Sequence, residues 1–230
     1  MMGNERLSQQ TLGRTAYAWL LVAFMVVSAM FFLSAGTVRY WEAWLYLAIL
    51  FITASLILAY LLRNSPDLLE RRMRMREKEP AQRWIIGLAW VWFVVTYLVP
   101  GVDHRLGGSD VPMLAVIIAE VFVVLGYGVI FWVFRENPYA SRIVEVEPDQ
   151  KVVSTGPYAV VRHPMYFGGL LIYLATPLAL GSYWALLPAA LILPILVARI
   201  RNEENVLARD LAGYRDYLRS TRYRLLPGIW

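Results

Sequence analysis

Six stretches of this chain are apolar over lengths close to a membrane crossing: residues 17–33, 44–62, 84–99, 113–134, 165–180 and 183–197. An α-helix needs roughly 20 apolar residues to cover the hydrocarbon core of a bilayer, and several of these blocks approach that length. The 59% hydrophobic content and mean hydropathy of +0.50 exceed what soluble domains of this size carry. The predicted fold class is therefore an all-α integral membrane protein with five to six transmembrane helices. The last two blocks are shorter and are separated only by Gly181 and Ser182. They form either two crossings or a tight C-terminal helical hairpin that does not fully span. No small-residue cleavage site follows the first block, so it reads as a helix and not as a removable signal.

Charge then orients the helices, because Lys and Arg near helix ends favour the cytoplasmic side. Of the 22 basic residues, all but Arg39 and Arg105 fall in the termini or in loops on one side of this topology. Both termini are expected in the cytoplasm, as for a protein of a prokaryotic inner or plasma membrane. The same asymmetry explains a sequence pI near 9.5 without nucleic acid, and makes membrane lipids the expected neighbour.

The chain has no cysteine, which excludes disulfides, thiolate metal sites, a cysteine nucleophile and iron–sulfur clusters. Its two histidines, His104 and His163, fall on opposite sides of the membrane in this topology, so no metal site is expected.

Two regions emerge. Residues 1–136 hold the N-terminal transmembrane helices and a basic cytoplasmic loop at 63–83. Within that loop Ser65-Pro66-Asp67 is a helix-start signal, followed by Leu and Met alternating with Arg and Glu. This predicts an amphipathic helix at the headgroup level, with a lid over a site as the alternative. Glu120 lies inside an apolar block, where an ionisable residue is costly, and either packs with a hydrogen-bond partner or serves a site.

Residues 137–230 hold a connector, the hairpin and a cytoplasmic C-terminal helix. Asn137-Pro138 ends the fourth long block and Gly156-Pro157 makes a turn. The connector between them is too long for a simple turn and too short for a soluble domain. A near-loopless hairpin brings His163-Pro164 beside Arg199–Glu204, where Arg199 and Glu203 are four apart and Arg201 and Glu204 three apart, spacings that can pair on a helix. A guanidinium, an imidazole, two carboxylates, the backbone near Gly156, and Tyr158 and Tyr166 would then share one cytoplasmic pocket at the membrane boundary. Such a pocket suits a polar cofactor from the cytoplasm and an apolar acceptor from the lipid.

"GPYAVVRHPMYFGG" followed by "RIRNEENVLARDLAGYRDYLRSTRYRLLPG" resembles the isoprenylcysteine carboxyl methyltransferase family, whose wider group includes membrane phospholipid methyltransferases. The similarity runs over roughly 137–230 and is strongest in the G-x-Y-x-x-x-R-H-P-x-Y and R-x-x-x-E-E-x-x-L elements. Gln150 stands where eukaryotic members carry His, and the shorter chain is similar to the prokaryotic members. The resemblance implies an S-adenosylmethionine-dependent methyltransferase without a Rossmann domain. It implies that Gln150, Lys151, Val152, Val153, Gly156, Tyr158, His163, Pro164, Met165 and Tyr166 wrap the cofactor, that Glu203 holds its polar end, and that Arg199 faces the acceptor. A carboxylate acceptor, giving a methyl ester, fits Arg199; an amine acceptor would lose a proton and would draw on Glu204 or Glu120, and a thiol is the remaining enzymatic choice. Two other classes compete. One is a non-catalytic membrane module that keeps the fold, and the other is a membrane reductase that binds NADPH.

Overall fold

The computed structural model describes residues 9–73, 77 and 79–230. Arg6 and the residues at 74–76 and 78, part of the basic loop, lie outside the described residues. Among those described there is no β-strand. The helices are α1 (Gln9–Ala35), α2 (Trp41–Asn64), α3 (Pro66–Met73), α4 (Pro80–Leu106), α5 (Met113–Glu136), α6 (Pro164–Ala179), α7 (Leu186–Ala190), α8 (Ile192–Asp210) and α9 (Tyr214–Ser220). Helices α1, α2, α4 and α5 are long and apolar enough to cross a membrane, and α6 is a shorter apolar helix. Large side chains such as Leu33, Trp84, Met113 and Leu114 are 70% or more exposed. Such apolar cover is untenable in water and ordinary against lipid, so the chain is an all-α membrane protein.

The sixth apolar block differs from a single crossing. Gly181 adopts φ +67° and closes α6, and Ser182 then accepts a hydrogen bond from the Ala185 amide at the start of the next turn. The returning segment is split at Leu191 into the five-residue α7 and the longer α8. Pro194 accounts for the break, because it has no amide for the Ala190 carbonyl and its ring crowds that group. The hairpin is therefore real but its return arm is interrupted.

Two helices set the frame for the site. Helices α5 and α6 meet backbone to backbone at Gly126 and Gly168, where a Cβ on Gly126 would stand 2.6 Å from the Gly168 carbonyl oxygen and one on Gly168 2.7 Å from that of Gly126. Close approach through small residues is how helices gain contact area where lipid competes for apolar side chains. Leu170 of α6 then packs with Trp92 of α4 and Ile192, Leu196 and Ile200 of α8, fixing α8 against the bundle.

Helix α3 does not lie free on the headgroups. Pro66 occupies its first turn as predicted, and Leu68 and Leu69 are buried against Leu58, Leu61 and Phe134. Its arginines turn toward the connector: Arg71 donates to the Pro138 carbonyl at 2.7 Å and lies 3.5 Å from Glu147, and Arg72 donates to the Ala140 carbonyl at 3.2 Å.

Candidate functional site

The connector, the first turn of α6 and the exposed end of α8 enclose a cleft with about 880 Å³ of empty space, part of it open to solvent. Helix α6 starts here because Pro164 sits in its first turn, where a missing amide is harmless. The start is pinned from the C-terminal side: the Arg162 and His163 amides donate to the Tyr223 and Arg224 carbonyls, each at 2.9 Å.

The residues singled out in the sequence divide clearly. Gln150, Lys151, Val152, Val153, Tyr158, His163, Pro164, Met165, Tyr166, Arg199 and Glu203 all line the cleft. Gly156 and Glu204 do not. Gly156 instead makes the turn into a short 3-10 helix, Gly156–Ala159, with φ +57°, and a Cβ there would stand 2.8 Å from the Glu136 carboxyl carbon. The neighbouring Thr155 hydroxyl donates to Glu136, which ties this turn to the end of α5.

The i,i+4 and i,i+3 ion pairs expected along α8 are replaced by longer-range ones. Tyr166 stands between Arg199 and Glu203: Arg199 Nε donates to the Tyr166 hydroxyl at 2.8 Å, and that hydroxyl donates to Glu203 Oε2 at 2.5 Å. Arg199 also donates through Nη2 to the Arg142 carbonyl at 2.9 Å, and its guanidinium lies 5.8 Å from the Tyr166 ring centre. Burial works against the Arg199 charge, but Tyr166 and Glu203 outweigh it and hold its pKa above the usual arginine value. The group stays cationic throughout the accessible pH range.

Glu204 faces a different set of partners from the expected Arg201. Arg162 Nε donates to Oε1 and Arg224 Nε to Oε2, each at 2.7 Å, and His163 Nε2 lies 3.4 Å from Oε1. Arg162, itself buried, spends its Nη1 on the Thr221 and Arg222 carbonyls. Burial alone would raise the Glu204 carboxyl, but His163, Arg162 and Arg224 overcome it and hold the pKa at about 2. Its visible work is to join α6, α8 and the C-terminal strand of chain behind the cleft.

Sequence reasoning missed Asn137, Tyr139, Arg142, Tyr214 and Tyr217, which also line the cleft. Asn137 Nδ2 donates to the Tyr158 hydroxyl at 2.8 Å, and the Tyr217 hydroxyl donates to the Tyr158 carbonyl at 2.8 Å. Burial raises the Tyr158 phenol well above its usual range, so it remains a neutral hydroxyl. Asn137 was read only as a helix stop; the tyrosines of α9 carried no spacing signal, because the turn at Gly213 decides where they point. Glu120 is buried in α5, does not line the cleft, and has no hydrogen-bond partner for either carboxylate oxygen among the described residues, so neither expected role is seen for it. Among the described residues no group of three or more potential ligands is placed to hold a metal ion.

A bundle of membrane-length helices thus carries a cleft lined by tyrosines, by the carboxylates of Glu145 and Glu203 and by the guanidinium groups of Arg142, Arg162 and Arg199. Residues 114–212, from α5 through α8, match the model of the phospholipid methyltransferase family, a similarity that covers less than half of the chain. The matched stretch contains every motif residue quoted from the sequence up to Leu211, and stops before α9 and the Arg224 anchor.

Proposed function

We propose that this protein transfers a methyl group from S-adenosylmethionine to the carboxylate of a lipophilic acceptor, at the cytoplasmic face of the membrane. The observation that carries the reading is the Glu203–Tyr166–Arg199 chain, which holds an anionic and a cationic group on opposite sides of one phenol in a single cleft. The donor set fits a sulfonium cofactor. Among the described residues Glu203 accepts only the Tyr166 hydrogen bond, through Oε2, which leaves Oε1 for the ammonium or ribose hydroxyls. Tyr158, Tyr166, Tyr214 and Tyr217 supply electron-rich faces suited to a cationic ligand.

When bound, the cofactor supplies an already activated methyl, which moves to an acceptor oxygen while sulfur keeps the bonding pair and leaves as a neutral thioether. The protein's task is then alignment and exclusion of water. Arg199, anchored through Nε and Nη2, aims an acceptor carboxylate without abstracting any proton. The apolar helices give the acceptor's tail access from lipid, and the gathering of basic residues at the cleft's end of the topology supports a cytoplasmic site.

Calorimetric titration of detergent-purified protein with S-adenosylhomocysteine, with NADPH as control ligand, tests the cofactor. Saturable binding of S-adenosylhomocysteine that falls tenfold or more in Glu203→Ala is expected. Binding of NADPH alone, or of neither ligand by folded protein, overturns the reading.

A further inference from the structure

The positive charge around the cleft exceeds what one acceptor-facing arginine requires. Arg72 of α3, Arg142 of the connector and Arg199 of α8 come from three separate elements, yet all three interact electrostatically with Tyr173, two turns beyond Tyr166 on α6. Arg72 also feels the repulsion of Arg142 and Arg199. Like charges in a partly desolvated setting repel unless an anion stands near them, as Glu203 does for Arg199.

Arg72 lacks one among its described partners. Its Nη1 donates to the Ala140 carbonyl at 3.2 Å, to the Ser141 carbonyl at 3.5 Å and to the Met165 sulfur at 3.5 Å, and its guanidinium lies 4.8 Å from the Phe134 ring centre. These are neutral groups. A guanidinium has five N–H donors, and among the described residues the hydrogen bonds of Arg72 all leave from Nη1. The adjacent Arg71 differs, because Glu147 lies 3.5 Å from it. Burial, the largest cause, and the repulsion of Arg142 and Arg199 push Arg72 down to about 10, with Tyr166 and Tyr173 acting the other way.

Position identifies which side of the cleft Arg72 serves. Arg72 is not itself a lining residue, but it touches Ala140, Ser141 and Met165 from the side of Phe134 and the buried α2–α5 cluster, and all three of those neighbours line the cleft. Arg199 grips the next carbonyl, that of Arg142. Arg72 and Arg199 therefore flank residues 140–142, one from α3 and one from α8.

Resting on the methyltransferase reading, we propose that Arg72 is a specificity-determining residue for the acceptor: with Arg199 it forms a two-guanidinium subsite for the oxyanion of an anionic amphiphile, a carboxylate or a phosphate on an apolar tail. Two planar forks from different helices can hold such a group by charge-assisted hydrogen bonds while its tail stays in lipid. An acceptor whose head is purely cationic meets the like charges of Arg72 and Arg199 and is rejected.

The test measures binding to the full chain in neutral maltoside detergent, saturated with S-adenosylhomocysteine, for dodecanoate, dodecyl phosphate and dodecyltrimethylammonium. The proposal expects both anionic probes, or one of them, to bind the wild type and to lose at least tenfold affinity in Arg72→Gln, with partial recovery in Arg72→Lys. Affinity for S-adenosylhomocysteine should change less than twofold in both variants, and the ammonium probe should bind none of the proteins. Loss confined to one anion still supports the subsite and tells whether its natural source is a carboxylic acid or a lipid phosphate. Anion binding unchanged in Arg72→Gln overturns the proposal, as does an equal loss of anion and cofactor binding in both variants, which would make Arg72 a structural clasp of the connector. If the wild type fails to bind S-adenosylhomocysteine, the methyltransferase reading fails instead.

Discussion

At the scale of single residues, Glu204 carries the largest electrostatic consequence. It neutralises Arg162, which is buried, and Arg224, which is partly buried, and thereby joins three parts of the chain behind the cleft. Removing one partner of a buried ion pair typically costs about 3–5 kcal/mol, because the other charge is left uncompensated. Glu204→Gln is therefore expected to lower the melting temperature of the detergent-purified protein clearly. The pH dependence has a definite sign. A carboxyl held at about 2 when folded, against 4.5 ordinarily, binds protons less readily in the folded state. Its stabilising contribution is full above about pH 4.5 and is lost as pH falls toward 2. Thermal melts of wild type and Glu204→Gln should thus differ most above pH 4.5 and converge on acidification; a constant gap across that range contradicts this role.

At the scale of helices, the two adjacent glycines of α6 make opposite predictions. A Cβ at Gly168 would meet the Gly126 carbonyl oxygen at 2.7 Å and Ile130 at 3.0 Å, whereas one at Gly169 would meet only Tyr173, at 3.5 Å. Gly168→Val should force α5 and α6 apart, costing about 1–3 kcal/mol. It should also weaken S-adenosylhomocysteine binding, since α6 carries His163-Pro164 and Tyr166 into the cleft. Gly169→Ala should leave both melting temperature and binding near wild type. Equal behaviour of the two variants would mean that α5–α6 contact does not position the site. The apolar blocks announced these helices, since segments of near-bilayer length admit little else. The break at Leu191 was hidden, although Pro194 was in view, because hydropathy averages over a proline while the helix cannot.

At the scale of the molecule, the sequence identified 11 of the 24 residues that line the cleft, because two ordered motifs lie on elements that a loopless hairpin must bring together. It did not reveal what crosses between distant segments. Arg72 reaches residues near 140 from a helix read as a surface amphipath, and Glu204 looks past the nearby Arg201 to Arg162 and Arg224. Helical spacing lists neighbours along one helix, whereas these partners depend on how helices pack, which spacing does not encode. The proposed function has a sulfonium methyl meet an acceptor oxyanion in this cleft. The direct test supplies methyl-labelled S-adenosylmethionine and a panel of long-chain carboxylic acids to protein reconstituted in neutral lipid, then treats the lipid extract with base. The account predicts label in the extract that base releases as volatile methanol, as a methyl ester must, and its absence in Arg199→Ala and Glu203→Ala. Label that resists base would contradict the carboxylate acceptor, and no transfer by folded protein, on these acids or on membrane lipid extract, would contradict the central claim.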